Sequence, residues 1–166
     1  MKDDTAASPA LTRLAELIQG IEIAMLTTRA ADGSMVSRPL QTLQFNGGRE
    51  LVFFTAADST KVDELAAHPQ VLLSYADPDR RRFVSVRGTA SIDRDATTID
   101  ALWTPSQRVF FPGGKSDPNL VVLRVLLRDA AWWEPVGNFA MRALDFVRGI
   151  ISDEPQDLGR HGIIKL

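Results

Sequence analysis

Residues 36–65 read VSRPLQTLQFNGGRELVFFTAADSTKVDEL, and the parsing of this stretch decides the fold. Asn46-Gly47-Gly48 separates an alternating run that ends at Phe45 from the β-rich run Leu51 to Thr55. Residues that tolerate positive φ between two such runs signal a hairpin, so the runs are expected to pair as antiparallel neighbours. Beyond the second run, Asp58, Ser59 and Thr60 are all good N-cap residues, and Lys61, Val62, Leu65 and Ala66 begin a helix that His68-Pro69 closes. That helix start offers free backbone N–H groups, the positive end of the dipole, hydroxyls and an ammonium group within a few residues. Those are the parts of a phosphate site. Arg38, one strand back, would reach the same place across the hairpin. The plainer reading of the same residues is a capped surface helix with a solvated Lys61.

Composition narrows the function classes. A chain of 166 residues fits one domain and buries a core without staples. Lys and Arg total 19 against 21 Asp and Glu, a formal net charge of −2, so no global field points to nucleic acid or an anionic membrane. Any anion site must therefore be local. With no Cys, disulfides, thiolate metal sites and cysteine nucleophiles are excluded, which is compatible with a reducing compartment. MKDDTAASPA lacks the apolar core of a signal peptide, and no run approaches the roughly 20 apolar residues of a membrane span. The expectation is a cytoplasmic protein with no nucleic-acid, membrane or metal partner.

Along the chain, Ser8-Pro9 caps a short amphipathic helix with Leu11, Leu14, Ala15 and Ile18 on one face and Gly20 as its stop. Ile21 to Thr28 reads as a strand, and Ala31-Asp32-Gly33 turns it into a second strand from Ser34 to Phe45. Pro39 cannot donate to a ladder and marks an edge or a bulge there; a bulge would re-aim Arg38. Val71 to Ala76 and Phe83 to Ile92 are further strands around the Asp77-Pro78-Asp79 turn, with Gly88 as a bend. Asp95 to Trp103 reads as a helix, Val109 to Asn119 as a Gly/Pro loop, and Leu120 to Leu127 and Ala130 to Glu134 as two more strands. An amphipathic helix is expected over about 138–148, then a tail. The division is one domain over residues 1–151 and a tail over 152–166. The fold class is α+β: a six-stranded antiparallel split β-barrel with flanking helices, since closure removes the exposed edges of a meander.

Several motifs carry less than they suggest. Gly113-Gly114-Lys115-Ser116 ends like a P-loop, but Val109 stands where the first glycine belongs. Arg80-Arg81-Arg82 sits in a turn beside Asp77 and Asp79, which favours a solvated loop over a nucleic-acid patch. His68 and His161 lie in unrelated contexts and make neither a metal cluster nor a catalytic base.

The order of helix, strand, SRPLQT strand, FFT, STK helix start and HPQV strand resembles the FMN-binding split barrels related to pyridoxamine phosphate oxidase. The run Phe111 to Leu120, the VVLRV that follows, the WWE of Trp132 to Glu134 and the closing DLGRHGIIKL resemble the bacterial general stress protein branch. The resemblance implies a flavin, FMN with FAD as the alternative, held through its phosphate at the interface of a homodimer. It implies as cofactor-binding residues Ser37, Arg38, Pro39, Leu40, Gln41 and Thr42 on the second strand, Phe54 and Thr55 on the next, and Ser59, Thr60 and Lys61 at the phosphate turn. Trp103 to Phe111 with Trp132 and Trp133 would supply interface or ring contacts, Trp133 being counted with the cofactor residues. Three departures matter. Thr60 stands where the oxidases carry a second basic residue, Phe83 where they usually place a Gln near the ring, and the Arg-Leu-x-Pro ending is absent. Vitamin B6 oxidation is thereby put in doubt, while flavin binding stands. The implied function is a flavin-binding protein of the general stress type. The alternative is a flavin-dependent oxidoreductase acting on a small molecule, and a deazaflavin or haem user on the same barrel stays open. Catalytic residues are not legible.

Overall fold

The computed structural model describes residues 8–45, 48–135 and 159–166. Ser8 Oγ accepts from the Leu11 N–H at 3.3 Å and Pro9 fills the first turn of helix α1 (Pro9–Ile18). Leu11, Leu14, Leu17 and Ile18 of that helix are buried, Leu17 joining the face read from the sequence. Strands β1 (Ile23–Arg29), β2 (Met35–Gln41) and β3 (Glu50–Ala56) lead into helix α2 (Thr60–Ala67). Strands β4 (Gln70–Asp77) and β5 (Arg82–Asp93), helix α3 (Ala96–Leu102), two 3₁₀ turns and strands β6 (Leu120–Pro135) and β7 (Gly159–Lys165) follow.

All strand pairs are antiparallel, in the order β2-β1-β4-β5-β6-β3, with β7 on β6. The α+β split barrel is thus present with seven strands rather than six. Two strands read separately, on either side of Arg128-Asp129, form the continuous β6, and part of the stretch read as a tail forms β7. The helix expected over 138–148, like Asn46-Gly47, lies outside the described residues.

The main correction concerns the hairpin. β2 and β3 do not ladder with each other; they lie at opposite ends of the strand path, and among the described residues the isolated bridge Gln44↔Val52 joins the chain after β2 to β3. Burial explains why. Leu51, Val52, Phe53 and Thr55 are buried, so β3 is covered on both faces and needs an equally covered partner. β6 is that partner, its residues Leu120 to Leu123 being buried one after another. β2 is largely exposed and carries Pro39 at the edge of the path. Its register against β1 runs unbroken from Ile23↔Gln41 to Arg29↔Met35, so Pro39 marks an edge and the alternative of a bulge is not realised.

A register shift lies at Arg87/Gly88 of β5, which pair with Asp129 and Leu127, so the extra residue is Arg128 of β6, opposite the Gly88 that the sequence reads as a bend. A Cβ on Gly88 would stand 2.5 Å from Val125 Cγ1 and 2.7 Å from the Leu126 carbonyl oxygen. Only glycine permits that approach between β5 and β6. The barrel interior holds Leu14, Leu17, Leu26, Phe53, Leu73, Tyr75 and Leu123, while a second cluster of Val52, Ile99, Phe111, Leu120 and Val122 fills the opposite face of β3 and β6. A row of aligned residues, Pro39, Met25, Ser74, Ser85, Ala131 and Ile163, crosses six strands on the sheet's outer face. Beside it Phe83 (42% exposed) stands opposite Trp133 (47% exposed).

Candidate phosphate site at the start of helix α2

Side-chain alternation in β2 divides the second-strand group. Arg38 and Leu40 share one face, Leu40 packing on the core and Arg38 donating from Nη1 to Thr28 Oγ1 at 2.5 Å. Ser37, Pro39 and Gln41 take the other: Ser37 Oγ accepts from Thr27 Oγ1 at 3.2 Å, and Pro39 and Gln41 are exposed opposite Met25 and Ile23. Thr42, just past the strand, hydrogen-bonds the Tyr75 hydroxyl at 2.9 Å. Burial pushes the Tyr75 phenol up to about 12, moderated by that bond.

β3 divides in the same way. The buried Thr55 accepts from Lys61 Nζ at 2.8 Å, whereas Phe54 turns to the second cluster with its ring centroid 6.4 Å from that of Trp103. Ser59 is the N-cap of α2 without making a side-chain cap; its Oγ donates to the Ala56 carbonyl at 2.7 Å instead. The opening turn is therefore left for another acceptor. Thr60 is exposed at the first position of the helix.

Arg38 and Lys61 do come together, and the charge of Arg38 bears on the ammonium. Burial holds the Lys61 pKa below the usual lysine range, Arg38 adds to the lowering, and Glu64 and Asp58 oppose it. Among the described residues Lys61 forms no ion pair, so a half-buried cation rests on one hydroxyl. Arg38 is different. Its Nη2 pairs with Glu64 Oε2 at 3.0 Å, with side chains only 18% and 12% exposed, and Thr28 Oγ1 donates to the same oxygen at 2.5 Å. The Thr28 bond is the main reason the Glu64 carboxyl lies below its ordinary range, and Arg38 helps.

Thr28 and Glu64 were not singled out in the sequence, although a signal existed for each. Glu64 lies one helical turn beyond Lys61, and Thr28 is a diagonal cross-strand neighbour of Arg38 once the β1–β2 register is set. Trp133 sits on the outer face, and none of its ring-stacking or hydrogen-bond partners belongs to this cluster. A cleft of about 500 Å³ between the end of α1 and the segment after β2 touches Thr42 but neither Arg38 nor Lys61. The remaining motifs are used structurally. Lys115 pairs with Asp100 at 2.8 Å, and Arg82, mostly buried rather than solvated, donates to the Glu16 and Gln19 carbonyls at the end of α1. No group of His, Asp and Glu suited to a metal occurs among the described residues, and no helix there is long and apolar enough to cross a membrane.

Two cations, an uncapped helix start and flanking hydroxyls on a split barrel are the features that a local anion site would use. The chain belongs to the family described as Pyridoxamine 5'-phosphate oxidase like, whose profile matches residues 9–157. It is similar to protein bli-3 of Neurospora crassa, 26% identical over 89% of this chain and 75% of the relative. It is also similar to general stress protein 26 of Bacillus subtilis, 32% identical over 49% of this chain and 59% of the relative. Among solved structures, the general stress FMN/FAD binding protein of Xanthomonas citri superposes with a TM-score of 0.67 at 25% identity, covering 78% of this chain and 92% of that one. Two of these similarities are thus to general stress proteins.

Proposed function

We propose that this protein binds a flavin, FMN with FAD as the alternative, and anchors it by the phosphate between Arg38 and Lys61. The observation that carries this is Lys61: a desolvated ammonium with no ion-pair partner among the described residues, beside a guanidinium, at a helix start whose cap serine is turned away. A phosphate supplies what that arrangement lacks, because its oxygens accept charge-assisted bonds from both cations and from the first helical amides. Ser59 and Thr60 flank the same turn, and Thr55 fixes the ammonium. The X. citri protein's flavin binding supports the choice of ligand. A bound flavin supplies one- and two-electron redox chemistry; the protein binds, orients and tunes it.

The ring requires a second copy. Phe83 and Trp133 form an exposed aromatic pair on the outer sheet face, beside Met25, Ile23 and Ile163. An exposed apolar, aromatic face suits association, and in the homodimer read here the partner copy completes the ring site. The test is the absorption spectrum of the purified, FMN-loaded protein together with its sedimentation. The expected result is a flavin band with one FMN per chain in a homodimer. A monomer that still holds one flavin per chain would refute the shared site, and a chain that never retains flavin would refute the ligand.

A further inference from the structure

We propose that Glu64 sets how much negative charge the Arg38–Lys61 site accepts, and so biases it towards a singly charged phosphate carrying a second link over a terminal dianionic phosphate. This rests on the reading of the cluster as a phosphate site. The groups facing it are Thr28 from β1, Arg38 from β2, Thr55 from β3, Lys61 and Glu64 from α2, and Asp58 from the preceding loop. Two cations thus meet two carboxylates, and the local charge is near zero before any ligand arrives. Asp58 is exposed and turned to Asn119, whose Nδ2 donates to it at 2.9 Å, so water screens it. Glu64 is the carboxylate inside the cluster.

Its bonds make it more than a bystander. Glu64 Oε2 accepts from both Arg38 Nη2 and Thr28 Oγ1, and Thr28 accepts from Arg38 Nη1, a closed ring of three side chains. Each terminal nitrogen of the guanidinium therefore already gives one of its two N–H groups before a ligand binds. An incoming phosphate shares Arg38 with Glu64 and is repelled by it, and the repulsion scales with the ligand's charge. A phosphate monoester carries nearly two charges above its second ionisation near pH 6, whereas each phosphate of a diphosphate diester carries one. Glu64 consequently penalises the monoester more than the diester, whose two charges are spread over two phosphates.

The test compares the full-length protein with Glu64→Gln, which keeps an acceptor for Arg38 and Thr28 but removes the charge. Asp63→Asn, exposed on the same helix, controls for the general field. Equilibrium titrations use FMN, FAD and riboflavin, and calorimetry uses inorganic phosphate and dimethyl phosphate. We expect Glu64→Gln to tighten FMN about tenfold and FAD by a smaller factor, because FAD brings only one charge to the phosphate nearest Glu64, with riboflavin and Asp63→Asn unchanged. Phosphate should gain more than dimethyl phosphate. Equal changes for FMN, FAD and riboflavin, or a loss of FMN affinity, would overturn the proposal. Should Glu64→Gln fail to fold, the wild-type protein decides the matter: its FMN affinity should change less than about threefold between pH 5 and pH 8, and a gain of tenfold or more would refute Glu64's role. Failure of the underlying phosphate reading would appear separately, as equal affinity of the wild type for FMN and riboflavin.

Discussion

Replacing Lys61 with Gln separates a binding residue from a structural one, because the two roles predict opposite effects on the ligand-free protein. The amide can still donate to Thr55 Oγ1, which lies 2.8 Å from the native ammonium, so the buried hydroxyl keeps a partner. What is lost is the charge. In the free protein that charge is a burden, since burial and Arg38 hold the Lys61 pKa below its usual 10.5. The unfolded chain therefore binds the lysine proton more tightly than the folded one. Stability of the free protein should rise with pH between the depressed folded value and 10.5, and Lys61→Gln should abolish that rise. With FMN present the sign reverses. Losing a charge-assisted bond to phosphate costs about 1.5–3 kcal/mol, or roughly ten- to over a hundredfold in affinity. The assay is urea unfolding across pH with and without FMN, beside a flavin-fluorescence titration. A variant whose free form is destabilised as strongly as its FMN binding is weakened would refute the reasoning and make Lys61 a structural residue.

The other predictions concern the frame and the assembly. Gly88→Ala would force a Cβ against Val125 and the Leu126 carbonyl and should lower stability by about 1–3 kcal/mol, seen as a fall in the urea midpoint. Tyr75, held at about 12, should stay un-ionised at pH values where a free tyrosine already titrates, as ultraviolet difference spectra would record. Trp133→Asp puts a charge in the exposed aromatic pair and should yield folded monomers with weakened flavin binding, read by sedimentation and circular dichroism.

Local chemistry was legible in the sequence wherever one segment determined it. Ser8-Pro9 caps its helix as read, the helix read from Asp95 to Trp103 spans Ala96–Leu102 with Asp95 Oδ1 accepting from the Thr97 N–H as its cap, and the turn after Asp58 leads into α2. Strand pairing was legible only for neighbours with no competing partner. The Asn46-Gly47-Gly48 signal is local, whereas the place of β3 is set by the need to bury both of its faces, which only β6 satisfies. A one-residue alternation likewise decides that Arg38 and Thr55 face the cluster while Ser37 and Phe54 do not. The role of Glu64 was less legible because it depends on an arginine two elements earlier, on β2. The spacing of one helical turn from Lys61 places Glu64 near the helix start, but its pairing with Arg38 follows only from the tertiary fold.

The central claim is that a phosphate, rather than the flavin ring alone, is what the chain grips, and the ratio of FMN to riboflavin affinity in the wild-type protein measures this directly. With both cations engaged, FMN should bind at least about a hundredfold more tightly than riboflavin, a preference that shrinks as salt is raised. Equal affinity for the two would contradict it.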